Sequence, residues 1–165
     1  MSEGETIKTD KDLREEIGKP PVRSPEVYQS LLDPENALPA VTLREEALSD
    51  VKSPWRSMKI YNSNGDAVGV VMVSDTNVPG TTFIVDIRLF EGHENNRYGR
   101  SAYVTLVKQL ASEGTRLLSG NSLSRDALDE WEWMVKKGAA RLVLYREPNE
   151  SAKNRGYSTS LYEII

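Results

Sequence analysis

The chain has 165 residues, of which 38% are hydrophobic and 28% are charged, and its net charge is −4. These values indicate one soluble globular domain, and the negative charge argues against a general nucleic-acid binder. The chain has no cysteine and one histidine, His93. The lack of cysteine excludes disulfides and thiolate chemistry. A single histidine excludes a metal site with several histidine ligands and leaves only His93 for a serine–histidine–aspartate triad. No apolar run approaches the roughly 20 residues of a membrane span and the first residues lack a secretory signal pattern, so we expect a cytoplasmic protein.

Residues 1–54 form the first predicted unit, an N-terminal arm that is partly helical and partly extended. This segment holds six of the eight prolines and few large apolar side chains. Capping patterns predict short helices over residues 10–17, from Pro25 to the residue before Pro34, and over residues 43–48. We expect the arm to wrap around the main domain or to dock on a protein partner.

The part of the chain that follows the arm has the pattern of three strands. Residues 56–61 alternate in polarity, and an Asn64-Gly65 turn separates them from an apolar strand over residues 67–73. A third strand follows over residues 81–90. Consecutive strands joined by short turns predict an antiparallel meander.

Residues 83–109 are the stretch around which the rest of the domain is organised. The end of a buried strand runs through a polar, glycine-containing loop, from Glu91 to Arg97, into a helix that continues to about Ser112. The first backbone N–H groups of such a helix have no partner within the helix. Together with the positive end of the helix dipole they form a potential binding site for a phosphate or another anion.

The last third of the chain contains a short strand, a second helix and two further strands. The short strand covers residues 116–118, and Ser124 is the predicted N-cap of a helix that ends near Gly138. The final strands cover residues 140–145 and 157–165. The order after the arm is β-β-β-α-β-α-β-β, which predicts a mixed α/β sheet with helices on its faces.

Three segments in this order carry a resemblance to a known family: the strand end from Ile87 to Phe90, the loop from Asn95 to Arg100, and the helix from Ser124 to Ala139. They resemble the GCN5-related N-acetyltransferase (GNAT) superfamily. The resemblance implies an α/β (α+β) fold for residues 55–165, with a mixed, mainly antiparallel sheet and helices on both faces. It also implies an N-acetyltransferase that takes acetyl-CoA as cosubstrate and a small-molecule or protein amine as acceptor.

The resemblance places acetyl-CoA against the strand end and the start of the following helix. It implies these cofactor-binding residues: Leu89, Phe90, Asn95, Asn96, Arg97, Tyr98, Gly99, Arg100 and Ser101. The family signature, Q/R-x-x-G-x-G/A, cradles the pyrophosphate with backbone N–H groups. Counted forward from the strand it falls on Glu94, Arg97 and Gly99, of which only Gly99 matches. Arg97 and Arg100 can still supply charge-assisted hydrogen bonds to phosphate.

The resemblance also implies catalytic residues. Asp86, on the third strand, is the expected general base, and burial there would raise its pKa toward a useful value. The alternative is that Asp86 faces solvent or pairs with Arg88. In many family members a tyrosine on the second helix is the general acid, but the second helix of this chain has no tyrosine. Tyr145 and Tyr157 are possible substitutes, but the more ordinary role of each is that of a packed aromatic residue with a hydrogen-bonded hydroxyl.

Two functions remain open at this point. The first is acetyl transfer to an amine. The second is a non-catalytic GNAT-like protein whose arm engages a partner, for example a phage protein that is virion-associated or binds a host protein. An opening between the strand at Asp86 and the short strand at Leu117 favours the first, whereas an opening plugged by Glu94, Arg97 or arm residues favours the second.

Overall fold

The computed structural model describes residues 22–46, 55–76, 80–94, 96–120, 123–144, 150 and 161–165. Within these ranges the helices are α1 (Pro25–Leu32), α2 (Tyr98–Ser112) and α3 (Arg125–Lys136). The strands are β1 (Val41–Glu45), β2 (Trp55–Asn62), β3 (Ala67–Asp75), β4 (Thr81–Leu89), β5 (Arg116–Leu118), β6 (Ala140–Leu144) and β7 (Leu161–Ile164). None of the described helices is long and apolar enough to cross a membrane.

The seven described strands form a single sheet in the order β1-β2-β3-β4-β5-β7-β6. Strands β4 and β5 run parallel, because α2 connects them as a crossover, and the other neighbouring strands run antiparallel. The predicted fold class, a mixed and mainly antiparallel sheet packed with helices, is confirmed.

Asn62 explains the sharp turn between β2 and β3. Its Oδ1 accepts hydrogen bonds from the backbone N–H groups of Asn64, at 3.0 Å, and of Asp66, at 2.9 Å. Gly65 has φ 83°, a conformation that glycine adopts without strain. The predicted Asn-Gly turn and the predicted meander of β2, β3 and β4 are therefore confirmed.

One apolar core holds the helices against the sheet. Helix α2 supplies a buried stripe that includes Leu106 and Leu110, at the spacing that the sequence predicted. Helices α1 and α3 add Tyr28 and Trp131, neither of which is exposed, to the same cluster. Because side chains alternate across a strand, a second and smaller cluster forms on the other face, from Leu118, Val143 and Leu161 with Phe83 against them.

Residues 22–46, which the sequence placed in the arm, pack on this core. The hydroxyl of Tyr28 donates a hydrogen bond to the carbonyl oxygen of Ile165 at 3.1 Å. Lys108 of α2 donates to Oε1 of Gln29 at 2.6 Å. The helix predicted from Pro25 is confirmed, and these bonds join it to Ile165 and to α2.

The helix predicted over residues 43–48 is wrong where the structure describes it. Val41–Glu45 is instead the edge strand β1, paired antiparallel with β2 so that Leu43 lies opposite Ile60. Thr42 and Glu45 have the spacing of a capping box, but pairing with β2 outweighs that local preference. Residues 1–21 and 47–54 lie outside the described residues, and with them the helix predicted over residues 10–17. A protein partner for the arm stays a prediction.

Candidate functional site

Strand β4 has two strand neighbours along its first part and one along the rest. From Thr81 to Phe83 it pairs with β5, the last pair being Phe83 with Leu118. Beyond Phe83 no described strand pairs with this edge, although β3 pairs with the opposite edge as far as Leu89. The backbone groups of residues 84–89 that face the free edge therefore have no ladder partner among the described strands.

A β-bulge lies where β4 and β5 separate. Met72 of β3 is opposite Asp86, but the next residue, Val73, is opposite Ile84, so Val85 is the extra residue on β4. As a result Val85, 43% exposed, and Asp86 are both exposed although they are consecutive. A bulge increases the local twist of a strand, which explains why β4 diverges from β5 at this point.

Strand β5 is fixed on the side away from the opening. Ser119 donates its N–H to the carbonyl oxygen of Tyr162 at 2.9 Å, and its Oγ accepts from the N–H of Tyr162 at 2.8 Å. Next to it, a Cβ at Gly120 would lie 3.1 Å from the carbonyl oxygen of Ile84. Glycine therefore lets the residues just after β5 pass close to Ile84, and the opening lies beyond this contact.

The free edge of β4 leads to the N-terminus of α2. The residue before the helix, Arg97, has φ 60° and ψ 19°, which is the left-handed region, and its side chain does not cap the helix. The N–H groups of the first turn have no intrahelical acceptor. The side chain of Ser101 is in this turn and is 3% exposed, and its Oγ has no hydrogen-bond partner among the described residues. Free amides at a helix N-terminus commonly bind anions.

Two charged side chains of the loop, those of Glu94 and Arg97, are hydrogen-bonded to backbone groups. Glu94 Oε2 accepts from the N–H of Gly92 at 3.0 Å. Arg97 donates from Nη2 to the carbonyl oxygen of Ala37 at 3.2 Å. Arg97 stands where the family signature has glycine. Its backbone has the positive φ that glycine favours, so the loop reaches this conformation without a glycine at this position.

The side chain of Arg100 links α2 to α3. Its guanidinium forms an ion pair with Glu130 of α3, with Nε 3.0 Å from Oε2 and Nη2 3.3 Å from Oε1. It also lies over the ring of Trp133, 4.2 Å from the ring centroid. Neither Glu130 nor Trp133 was predicted as a site residue, because no local pattern marks either position of α3 as the partner of an arginine on another helix.

Among the other predicted cofactor-binding residues, Leu89 and Gly99 lie close together in the fold. A Cβ at Gly99 would lie 3.9 Å from Cδ1 of Leu89, so the strand end touches the helix start. Phe90 is 37% exposed, and Asn96 is exposed as well. Tyr98 is half-buried in the first turn of α2. Asn95 lies outside the described residues.

Of the two environments considered for Asp86, buried or exposed, the structure shows the exposed one. Its side chain is 50% exposed and its Oδ2 lies 3.8 Å from Nη2 of Arg88, so the alternative of an exposed, paired carboxylate is what the structure shows. The bulge at Val85 is the reason, because it brings two consecutive side chains to the surface. The two tyrosines considered as acids, Tyr145 and Tyr157, lie outside the described residues.

Tyr103 of α2 is a buried tyrosine whose pKa is affected by the carboxylates of Glu130 and Asp86. It is 5% exposed, and its ring meets the ring of Trp131 edge-on with centroids 6.1 Å apart. Burial raises the pKa of Tyr103, and the negative charges of Glu130 and Asp86 raise this pKa further. Its predicted place on the apolar face of the helix is confirmed.

No protein-family model matches the sequence, and no curated protein matches it. Solved structures of acetyltransferases are similar to it in fold. A spermidine/spermine N-acetyltransferase from Vibrio cholerae is 9% identical with a TM-score of 0.50, over 69% of this chain and 66% of that chain. A chimera of the Vibrio cholerae spermidine N-acetyltransferase and hSSAT is 8% identical with a TM-score of 0.56, over 76% of this chain and 95% of that chain.

An acetyltransferase from Bacillus cereus, described as an IAA acetyltransferase, is 12% identical with a TM-score of 0.51, over 76% of this chain and 97% of that chain. The chain thus spans about two thirds of the length of the first structure and nearly the whole length of the other two. At these identities the similarity establishes the fold.

Proposed function

We propose that this chain, whose fold is that of the GCN5-related N-acetyltransferases, binds acetyl-CoA in the opening between β4 and β5 and transfers the acetyl group to an amine. One observation carries the proposal. The unpaired edge of β4 over residues 84–89 leads to a helix N-terminus where the buried hydroxyl of Ser101 has no partner. An extended ligand with amide groups and a diphosphate matches both halves of this surface.

The residues present fit such a ligand. The free N–H and C=O groups of β4 can bind an extended amide chain as an added strand would be bound. The first turn of α2 and the Ser101 hydroxyl can bind phosphate oxygens. When bound, acetyl-CoA supplies an acetyl group activated as a thioester.

The exposed carboxylate of Asp86 lies on the part of β4 that borders the opening. In the proposed reaction it accepts the proton of the attacking amine, directly or through water, and Tyr145 or Tyr157 donates a proton to the departing thiolate. An amine acceptor is supported by the similarity in fold to two spermidine N-acetyltransferase structures.

The alternative was a non-catalytic protein with a plugged opening. Glu94 and Arg97 are bonded to Gly92 and to Ala37, and these bonds hold both side chains to loop backbone. These bonds fit either function, and acetyl-CoA binding is the measurement that distinguishes them.

Isothermal titration of the full chain with acetyl-CoA tests the proposal. We expect saturable one-to-one binding and, with a panel of polyamines, aminoglycosides and peptides, release of free CoA. Because the chain has no cysteine, a thiol reagent reports the CoA thiol without a protein background. Absence of binding at millimolar acetyl-CoA would overturn the proposal and favour the non-catalytic alternative.

A further inference from the structure

Arg100 is the one cation in the first turn of α2, and in this structure it is bonded to a carboxylate. Both Nε and Nη2 donate to Glu130, at 3.0 Å and 3.3 Å, and the guanidinium covers the ring of Trp133. The pair is partly shielded from water, since the Arg100 side chain is 32% exposed and the Glu130 side chain 21%. Arg100 is therefore not an ordinary mobile surface cation.

The position of Arg100 in the helix gives its side chain a second site. It is the third residue of α2, and side chains of a helix lean toward its N-terminus. Released from Glu130, the guanidinium can turn to the first-turn amides and the unpartnered Ser101 hydroxyl, where the proposed function places a diphosphate. A guanidinium cannot satisfy Glu130 and a diphosphate with the same two N–H groups.

We propose that Glu130 competes with the diphosphate of the ligand for Arg100, and so sets the affinity of the site for acyl-CoA. Ligand binding exchanges one anionic partner of Arg100 for another, and Trp133 supports the guanidinium in its Glu130-bound position. This inference rests on the proposed function. It adds a residue of α3, outside the loop that contacts phosphate, that weakens ligand binding.

Glu130→Gln tests the inference because it keeps the size of the side chain and removes its charge. We expect the Kd for acetyl-CoA at low ionic strength to fall by about three- to fivefold, because the competing ion pair is weakened. Glu132→Gln is the matched control. Glu132 is an exposed residue of the same helix, and the substitution makes the same change in net charge without altering the partner of Arg100.

A double-mutant cycle separates competition for Arg100 from a general charge effect. In an Arg100→Ala background, Glu130→Gln should bring no more gain than Glu132→Gln, because the contested guanidinium is gone. S-acetylpantetheine, which has no diphosphate, should bind the wild type and Glu130→Gln equally. Dephospho-acetyl-CoA retains the diphosphate, so its Kd should fall as that of acetyl-CoA does.

The outcomes are distinguishable. If the wild type binds acetyl-CoA and a folded Glu130→Gln variant binds it no more tightly than Glu132→Gln, this inference is overturned and the proposed function stands. A gain that persists undiminished in the Arg100→Ala background also overturns it. If neither the wild type nor Glu130→Gln binds acetyl-CoA at millimolar concentration, the proposed function fails and this inference fails with it. Thermal unfolding of each variant shows that it is folded.

Discussion

Arg97 and Ala37 are joined by a hydrogen bond between the guanidinium Nη2 of Arg97 and the carbonyl oxygen of Ala37, at 3.2 Å, although 60 positions separate them. The bond ties the loop before α2 to the connection between α1 and β1. The backbone of Arg97 has φ 60°, a conformation that costs a residue with a Cβ about 1–2 kcal/mol. The loop therefore holds strain next to the helix N-terminus where we place the diphosphate.

Replacing Arg97 by glycine and by alanine separates strain from the hydrogen bond. Both variants lose the bond to Ala37, but glycine relieves the left-handed backbone and alanine does not. We expect urea denaturation to show Arg97→Gly more stable than Arg97→Ala by about 1 kcal/mol. This is the net difference, because the greater conformational freedom of glycine in the unfolded chain offsets part of the relieved strain. Equal stability of the two variants would show that this residue is not left-handed in solution.

Ser101→Ala should change stability and affinity in opposite senses. The Ser101 Oγ is buried without a partner, so removing it should raise the free energy of unfolding by about 1 kcal/mol. The same change should weaken acetyl-CoA binding by about tenfold, because a hydrogen bond to a charged phosphate is lost. Chemical denaturation and titration calorimetry measure the two effects.

Ser112→Ala is the control for this pair of effects. Ser112 lies at the other end of α2 and its Oγ donates to the carbonyl oxygen of Gln109 at 2.6 Å. It should leave the Kd for acetyl-CoA unchanged. Unchanged binding in Ser101→Ala would mean that the hydroxyl has no role in holding phosphate.

The features predicted correctly depend on neighbours in sequence. The stripe of Leu106 and Leu110 follows from helical spacing, and the Ser124 cap is confirmed by the hydrogen bond that its Oγ accepts from the N–H of Ala127 at 3.2 Å. The failure at β1 has the opposite cause. The capping pattern of Thr42 and Glu45 is local, whereas the strand is stabilised by pairing with β2, which no local pattern reveals.

The candidate site was predictable in position but not in its contacts. The order of strand, loop and helix located the corner where Leu89 approaches Gly99. The partner of Arg100, by contrast, lies 30 positions away on another helix. The bulge that exposes Asp86 arises from its register with Met72 of β3, and register of this kind is a tertiary property.

Asp86→Asn should lower kcat for acetyl transfer by about 100-fold or more and leave the Kd for acetyl-CoA within about twofold. The carboxylate accepts the amine proton in the proposed reaction, and the amide cannot. Arg88→Gln is the control, since it removes the partner 3.8 Å away and keeps the carboxylate. Because both side chains are at least half exposed, this control should change kcat less than about threefold. Full activity of Asp86→Asn would assign the base to another residue.

Tyr103→Phe should make the protein more resistant to alkaline unfolding. Burial raises the pKa of Tyr103 above its ordinary value of 10.0, so the folded chain retains the phenolic proton while the unfolded chain loses it. A group whose pKa is raised by folding contributes its full stability below pH 10, and that contribution is lost as the pH rises further. The loss is about 1.4 kcal/mol per pH unit for each such tyrosine.

The difference in free energy of unfolding between Tyr103→Phe and the wild type is the quantity to measure, by urea denaturation from pH 7 to pH 11. We expect this difference to be constant below about pH 9 and to shift in favour of the variant above about pH 10. Burial also raises the pKa values of Tyr28 and Tyr162, so the variant should still lose some stability at high pH. A pH-independent difference would mean that the Tyr103 phenol is reached by water in the folded protein.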